Sequence, residues 1–472
     1  MIPGMAGTHT TTEQKALELN LDRVKYGTIA EIGAGQEVAA WLFHVGGAAG
    51  TIAKTISAYD MGVSDALYGP TKRYVSRERL QAMLAREFDL LVQTLGPGRG
   101  ATTTFFSFAN TVATRSFKHH DDGRGWVGIR FQHQPQAEPS EAIVYVTLHD
   151  RTAVAQQEAL GVLGINLIHG AFFRHADPAG LIGALLDELS RERLDVDMIK
   201  LSGPAFVGVD NRLMSLQLVE QGLTDAAMFT AAGDVVQPSE MLYKKPIVIE
   251  RGSFRPITRL TLDLVERARA RFVREAGVAG QEPVVLMEMT LRNLTSPSGI
   301  DHTDFLARAD ILGALGLNVL ISRFEQYYHV SEYLTRFTDQ MIGIAVGMPS
   351  VQEISQDKYY TDLGGGLLEA AGRLFKRSVK LYVYPTKDPA TGQLVTVTSG
   401  GTPPLWHHLR ELLLESGRLE AIEEFDASSL SIYPPDVLAR IQKGDPSWEA
   451  MVPAPAAEAI KAKRLFGYTP PR

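Results

Sequence analysis

A chain of 472 residues, 45% hydrophobic and 21% charged, exceeds what one core supports and predicts two or more globular domains. Its net charge of −7 excludes nucleic acid as the main partner, because counterion release needs a basic face and no Lys/Arg block is present. The absence of cysteine removes disulfides, thiolate nucleophiles, Cys-ligated zinc and iron–sulfur clusters together.

Residues 1–15 are polar and Thr-rich, without an apolar run behind a basic start, so no secretory signal is expected. No stretch reaches the ~18–20 apolar residues of a membrane helix. The expected location is the cytoplasm, with no membrane partner and residues 1–25 as a mobile N-terminus. A strand follows at 26–32, then Gly33-Ala34-Gly35, a helix at 36–45 and a Gly/Ala/Thr-rich segment at 46–57. Ser76 is placed to cap a helix whose Leu80, Leu84, Phe88, Leu91 and Leu95 keep helical spacing, with Gly96-Pro97-Gly98 as its stop. Runs at 102–114, 126–134 and 142–148 are β-branched and aromatic, separated by short loops, as in antiparallel strands. Helices are predicted at 152–163, 178–193 and 212–221, and strands at 196–201 and 246–250.

From about Leu260 helix and strand alternate regularly, with strands at 284–289, 318–322, 341–346 and 380–384. Val284-Val285-Leu286-Met287 and Val319-Leu320-Ile321 are continuous apolar runs, the mark of strands covered on both faces. The predicted class is α/β: a C-terminal doubly wound parallel sheet and an N-terminal α+β region with antiparallel strands. The expected divisions are 26–259, a Rossmann-like domain at 260–402, and a helical and irregular tail at 403–472.

Several constellations carry chemistry. Gly33-Ala34-Gly35 lies between strand and helix, but the third glycine of the G-x-G-x-x-G fingerprint is Val38 here, and Glu31 and Glu37 would repel an anion. A plain strand–turn–helix junction is the favoured reading. Gly46, Gly47, Gly50, Thr51, Lys54 and Thr55 offer the ingredients of a phosphate cradle. Ala53 precedes Lys54, so this is not a Walker A loop, and a packing contact made by small residues is equally compatible. His119-His120-Asp121-Asp122, with His133 downstream, has the ligand types of Zn, Mn or Fe. Adjacent residues on a turn seldom converge on one ion, so a polar hairpin tip and no metal are expected.

The ends of the C-terminal strands carry Glu288, Thr290, Arg292 and Asn293, then Ser322 and Arg323, then Gly347, where open parallel sheets bind ligands. Glu288 interrupts an apolar strand and needs a partner or a role. Arg292 or Arg323 could supply the former, and general-base work the latter. Lys244, Lys245, Glu250 and Arg251 surround an apolar strand near Gly252-Ser253, where a basic cluster could receive phosphate, but a solvated strand end is the favoured reading.

Three segments taken together resemble an uncharacterised bacterial protein family. They are Ala30-Glu31-Ile32-Gly33-Ala34-Gly35-Gln36-Glu37-Val38 running into Gly50-Thr51-Ile52-Ala53-Lys54-Thr55-Ile56-Ser57-Ala58-Tyr59-Asp60; Gly222-Leu223-Thr224-Asp225-Ala226-Ala227-Met228-Phe229; and Tyr359-Tyr360-Thr361-Asp362-Leu363. The resemblance extends over nearly the whole chain. Members of that family carry contradictory labels, nicotinate-nucleotide adenylyltransferase and TonB-dependent receptor. An outer-membrane receptor implies a signal peptide and a barrel of alternating strands, neither of which this sequence predicts. The adenylyltransferase motifs H-x-G-H and I-S-S-T-x-x-R find only His169-Gly170 and Ile321-Ser322-Arg323-Phe324 here, so what the resemblance implies is a nucleotide ligand without a mechanism.

The expectation is an enzyme acting on a small phosphorylated or nucleotide-like metabolite, held between the Gly-rich segment and the crevice of the C-terminal sheet. Lys54 and the 46–51 backbone would hold phosphate, Arg292 or Arg323 a second anionic group, and Glu288 would act as general base. No reaction type follows from these residues, and no cofactor is specified. A homo-oligomer is the expected assembly, and a non-catalytic homo-oligomeric scaffold is the alternative function.

Overall fold

The computed structural model describes residues 10–115, 122–388, 390–399, 403 and 406–470. Two compact units divide the chain, Met1–Thr224 and Asp225–Arg472, and the fold is mixed α/β.

The first unit runs α1 (Thr12–Leu21), β1 (Lys25–Ile32), α2 (Glu37–His44), β2 (Ile52–Ile56), α3 (Met61–Tyr68), α4 (Arg77–Arg99), β3 (Thr104–Ala113), β4 (Gly123–Phe131), β5 (Ser140–Leu148), α5 (Ala153–Phe173), α6 (Pro178–Ala184), β6 (Leu194–Ser202) and α7 (Asn211–Glu220). Its six-stranded sheet has the order β2-β1-β3-β4-β5-β6. The β1 pairs are parallel and the remaining three antiparallel.

Residues 12–21, expected to be mobile, form an ordered helix. Thr11 and Gln14 close a capping box, while Ala16 and Leu19 join the core. The core helix is α5, whose residues from Ala159 to Phe172 are all buried. Such a helix is apolar all round, so period alone could not show that it runs ten residues beyond the expected end at 163. The expected stop at Gly96-Pro97-Gly98 is also overrun, because α4 continues to Arg99. Pro97 withdraws one N–H from the Gln93 carbonyl, and Gln93 is exposed, so water can take up the freed acceptor.

The second unit runs β7 (Ala226–Phe229), β8 (Val235–Val236), α8 (Pro238–Leu242), β9 (Ile247–Arg251), α9 (Arg259–Phe272), β10 (Val284–Thr290), α10 (Leu291–Leu294), β11 (Thr295–Ser296), β12 (Gly299–Ile300), α11 (His302–Ala314), β13 (Asn318–Ser322), α12 (Tyr327–Leu334), β14 (Ile342–Gly347), α13 (Met348–Ile354), α14 (Gly366–Leu374), β15 (Val379–Tyr384), β16 (Thr386–Lys387), β17 (Leu394–Val395), α15 (Trp406–Glu415), β18 (Leu419–Ala421), α16 (Pro434–Lys443) and α17 (Ala454–Lys463). Its main sheet has the order β18-β15-β14-β9-β10-β13-β7-β8. The first six strands are mutually parallel, as the continuous apolar runs predict, and β7 and β8 close one edge antiparallel. The chain steps outward from β9 through β10 and β13, then returns to the other side of β9 for β14, β15 and β18. The strand order therefore reverses between β9 and β14.

The expected boundary at 259/260 falls inside this unit. Central β9 and the antiparallel strands β7 and β8 all precede it. The tail expected from 403 likewise contributes β18 to the sheet and buries Trp406 and Trp448. Neither attachment is visible to local periodicity, because both rest on partners far away in sequence.

One contrast tests the turn after β1. Gly33 has φ +95°, and an added Cβ would lie 1.9 Å from the Val112 carbonyl oxygen. Gly46 has φ +79° with no atom within 4 Å of such a Cβ. Gly33→Ala should cost about 3 kcal/mol or more by combined strain and collision, and Gly46→Ala about 1–2 kcal/mol from backbone strain alone. Urea denaturation of the two variants measures the difference.

Candidate functional site

Glu288 lies on β10 directly beside Arg251 on β9 in the parallel register. The Arg251 Nε donates to Glu288 Oε2 at 2.8 Å and Nη2 donates to Oε1 at 3.0 Å, a forked pair that fixes both planes. The Ser322 hydroxyl, at the end of β13, donates to the same Oε1 at 2.6 Å. Glu288 is 1% exposed, so its charge is taken up by partners rather than by water. The third Arg251 contact runs from Nη1 to the Glu325 carbonyl at 3.1 Å. Tyr327, the first residue of α12, places its ring centroid 4.4 Å from the guanidinium. Burial pushes the Tyr327 phenol up to about 12, and it stays neutral. Burial works against the charged form of Arg251, but Glu288 more than offsets this and its pKa lies above the ordinary value.

Glu250 precedes Arg251, so its side chain leaves the opposite face of the strand. It is buried, and its Oε2 has no hydrogen-bond partner. Burial first, and the Glu288 charge second, push it up to about 8, so it is protonated at neutral pH.

Beyond the carboxyl end of β13 opens a cavity of about 310 Å³, lined by Asp225, Arg323, Phe324, Glu325, His329, Glu332, Tyr333 and Arg336. Glu332 is already engaged by Arg373 through two bonds of 2.8 Å. Arg323 is half exposed and only 3.9 Å from Asp225, the outer limit of an ion pair. Burial lowers the His329 pKa, which favours the neutral imidazole. Two larger open depressions, of about 720 and 780 Å³, lie along α9 and at the amino ends of β9, β10 and β13. Neither contains the buried ionic network, and the amino ends are not where open parallel sheets place ligands.

Other expected site residues have different company. Arg292 projects into solvent, 3.5 Å from Glu353; neither Arg292 nor Arg323 pairs with Glu288. The partner is Arg251, expected to be a solvated strand end. Its signal was the Glu250-Arg251 pair closing an apolar strand, but only the β9–β10 register shows that it faces Glu288. Tyr327 gave no signal at all.

The Gly-rich segment makes contacts within the first unit. Lys54 lies on edge strand β2 and pairs with buried Glu87 at 2.5 Å, and Glu87 also accepts from the Tyr68 hydroxyl at 2.8 Å. The N–H groups of Gly46, Gly50 and Thr51 bond to the carbonyls of Phe43, Gly47 and Ala48, and the Thr51 hydroxyl donates to the Leu19 carbonyl. Gly47 is the left-handed residue before a short 3₁₀ turn, and Thr55 continues β2 beside Ile29. Lys54, the Thr51 hydroxyl and three of the backbone N–H groups expected to hold phosphate thus have partners within the first unit, a different unit from that of Glu288.

At the Gly33-Ala34-Gly35 turn, Glu31 occupies the place of an anion. Its carboxylate accepts from the Ala39 N–H at 3.1 Å and from Asn110 Nδ2 at 2.9 Å. Of the expected metal cluster, His119, His120 and Asp121 lie outside the described residues. Asp122 contacts His149 Nδ1 at 3.0 Å, not His133. Among the described residues no group of three or more His, Asp or Glu could hold a metal, and no helix is long and apolar enough to cross a membrane.

No family model matches the chain, and no curated protein does either. Among solved structures it is similar to the competence/damage-inducible protein CihA from Agrobacterium tumefaciens, at 13% identity and a TM-score of 0.24 over 36% of this chain and 96% of that one. It is also similar to competence-damaged protein (CinA) superfamily proteins. The one from Enterobacter cloacae gives 13% identity and a TM-score of 0.25 over 36% and 98% of the two chains. The one from Escherichia coli gives 14% and 0.22 over 34% and 90%. TM-scores this low establish no common overall fold.

Glu250 and Lys54 each yield a prediction. Glu250 is protonated in the fold and ionised in the unfolded chain between about pH 4.5 and about 8. Its contribution to stability is complete below that window and lost as pH rises through it. Glu250→Gln should remove this slope, so the wild-type minus variant difference in urea stability should fall between pH 5 and pH 8. Lys54→Met leaves buried Glu87 without its cation and should cost about 1–2 kcal/mol with no ligand present, measured in the same way.

Proposed function

We propose that the second unit binds a small phosphorylated or nucleotide-like metabolite at the carboxyl end of its sheet, and that the protein is an enzyme acting on it. One observation supports this: a cavity carrying Arg323, Arg336 and His329 opens beside the buried Glu288–Arg251–Ser322 network, at the strand ends where open parallel sheets hold ligands. The two guanidiniums suit phosphate oxygens. Asp225 at the same rim disfavours a bare anion and favours a ligand that adds hydroxyl or amino donors, as a ribose or a base does. About 310 Å³ lies at the small end of ligand sites and suits a mononucleotide-sized molecule. The resemblance to a family with a nucleotide-related label points the same way.

Within this proposal Glu288 is a positioning residue. Both its oxygens are engaged, and its task is to hold Arg251 at the end of β9. Three of the five guanidinium N–H groups of Arg251 are used among the described residues, and its remaining donors lie at the carboxyl edge. The strand-order reversal between β9 and β14 belongs to the same edge, in the manner of a doubly wound nucleotide-binding sheet.

A thermal-shift panel of nucleoside mono- and diphosphates, sugar phosphates and inorganic phosphate tests the proposal. Nucleotides should raise Tm more than inorganic phosphate does. Arg323→Ala combined with Arg336→Ala should abolish the shift while leaving the ligand-free Tm within a few degrees, since exposed arginines contribute little to folding. No shift with any member, or an undiminished shift in the double variant, would exclude this cavity.

A further inference from the structure

The cavity beyond β13 includes an imidazole whose change of charge the proposed function does not use. His329 lies on α12, is half-buried, and lines the cavity together with Arg323 and Arg336. Its ring packs against Tyr328, with centroids 4.2 Å apart, and against Phe324 at 6.3 Å. The charges around it come from several elements. Arg323 and Glu325 follow β13, Asp225 precedes β7, Glu332 is on the same helix and Arg336 lies just beyond it. Asp362 in the loop before α14, Arg373 on α14 and Arg251 at the end of β9 also act on the ring. Burial is the largest influence and disfavours the imidazolium. Arg373 and Arg251 add to it, while Glu332 and Asp362 oppose it without reversing it. The ligand-free ring is therefore neutral at pH 7.

A phosphate dianion entering this lining meets no net positive charge. Glu332 is neutralised by its two bonds to Arg373, which leaves Arg323 and Arg336 facing Asp225 and Glu325, two charges against two. We propose that His329 supplies the further cation: a phosphorylated ligand binds together with one proton, which His329 takes from solvent and holds toward a phosphate oxygen. This rests on the metabolite site proposed above and adds a regulation of it, since affinity then depends on pH. An imidazolium N–H donating to a phosphate oxygen is a charge-assisted hydrogen bond. The coupling is reciprocal, because the dianion favours the proton by the same factor as the proton favours the dianion. An opposite charge within ~4–6 Å typically changes a proton affinity about tenfold or more. Ligand raises the His329 pKa, so the added affinity is complete below the ligand-free pKa and is lost as pH rises through the ligand-bound one.

The test uses the full chain and two probes, AMP and sulfate. AMP binding is measured by calorimetry at pH 7.0 in two buffers of different ionisation enthalpy, which counts the protons taken up. Wild type should take up a measurable fraction of one proton per AMP. His329→Gln, which keeps a hydrogen-bond donor but cannot titrate, should bind AMP several-fold more weakly with uptake near zero. Sulfate stays dianionic between pH 8 and pH 5.5, so the thermal shift it causes, relative to NaCl at equal ionic strength, reads the titration of the protein alone. That shift should grow more steeply with falling pH in wild type than in His329→Gln. The ligand-free Tm of the variant checks its folding, and the two-buffer comparison on wild type needs no variant. AMP bound by wild type without proton uptake, uptake unchanged in His329→Gln, or equal sulfate slopes in the two proteins would overturn the role of His329 and leave the metabolite site standing. Neither AMP binding nor a sulfate shift at any pH would remove the site and this inference with it.

Discussion

A carboxylate buried in a sheet needs partners that replace water, and this constraint organises the carboxyl edge of the second unit. Glu288 is almost fully enclosed, and removing the partner of such a charge typically costs several kcal/mol. Its guanidinium partner comes from the adjacent strand because β9 and β10 run parallel in a register that sets Arg251 opposite Glu288. The rest follows locally. Tyr327 covers the guanidinium, the Glu325 carbonyl takes a further N–H, and the Ser322 hydroxyl completes the carboxylate. Elements from β9, β10, β13 and α12 thus meet at one ionic centre, which holds the loop after β13 and so the floor of the neighbouring cavity.

The same strand ends show how an adjacent pair of ionisable residues diverges. Arg251 and Glu250 are consecutive, yet alternation sends one toward Glu288 and the other to the opposite face. Arg251 is charged because its partner is within bonding distance. Glu250 is protonated because it has burial without a partner, and the nearby Glu288 charge adds to the effect. Position on the strand, not residue type, separates a fixed cation from a neutral acid.

Much of this architecture was legible in the sequence. Continuous apolar runs such as Val284-Val285-Leu286-Met287 indicate strands covered on both faces, and they proved parallel. Ser76 caps α4 as expected, because an N-cap is a local side-chain-to-backbone bond. What stayed hidden depends on partners distant in sequence. That β9 is central rather than peripheral, and that β18 joins from beyond 403, cannot be read from period. For Glu288 the need for a partner was legible, but the partner's identity was not. Arg292 and Arg323 were close in sequence and Arg251 was close in register.

The Gly-rich segment shows why composition alone misleads about anion sites. Glycines, a lysine and hydroxyls hold a phosphate only if the backbone N–H groups are left unpaired and point together. Here the N–H groups of Gly46, Gly50 and Thr51 each find a carbonyl three residues back, and residues 52–56 become an edge strand. Lys54 then turns to Glu87, a buried carboxylate already bonded to Tyr68. A lysine on an edge strand also discourages pairing with another chain. Glu31 supplies the converse case. It brings its carboxyl group to the α2 N-terminus, where it accepts from the Ala39 N–H, although burial raises its pKa to about 7. In this unit the α2 helix end and the Lys54 ammonium both find partners within the chain.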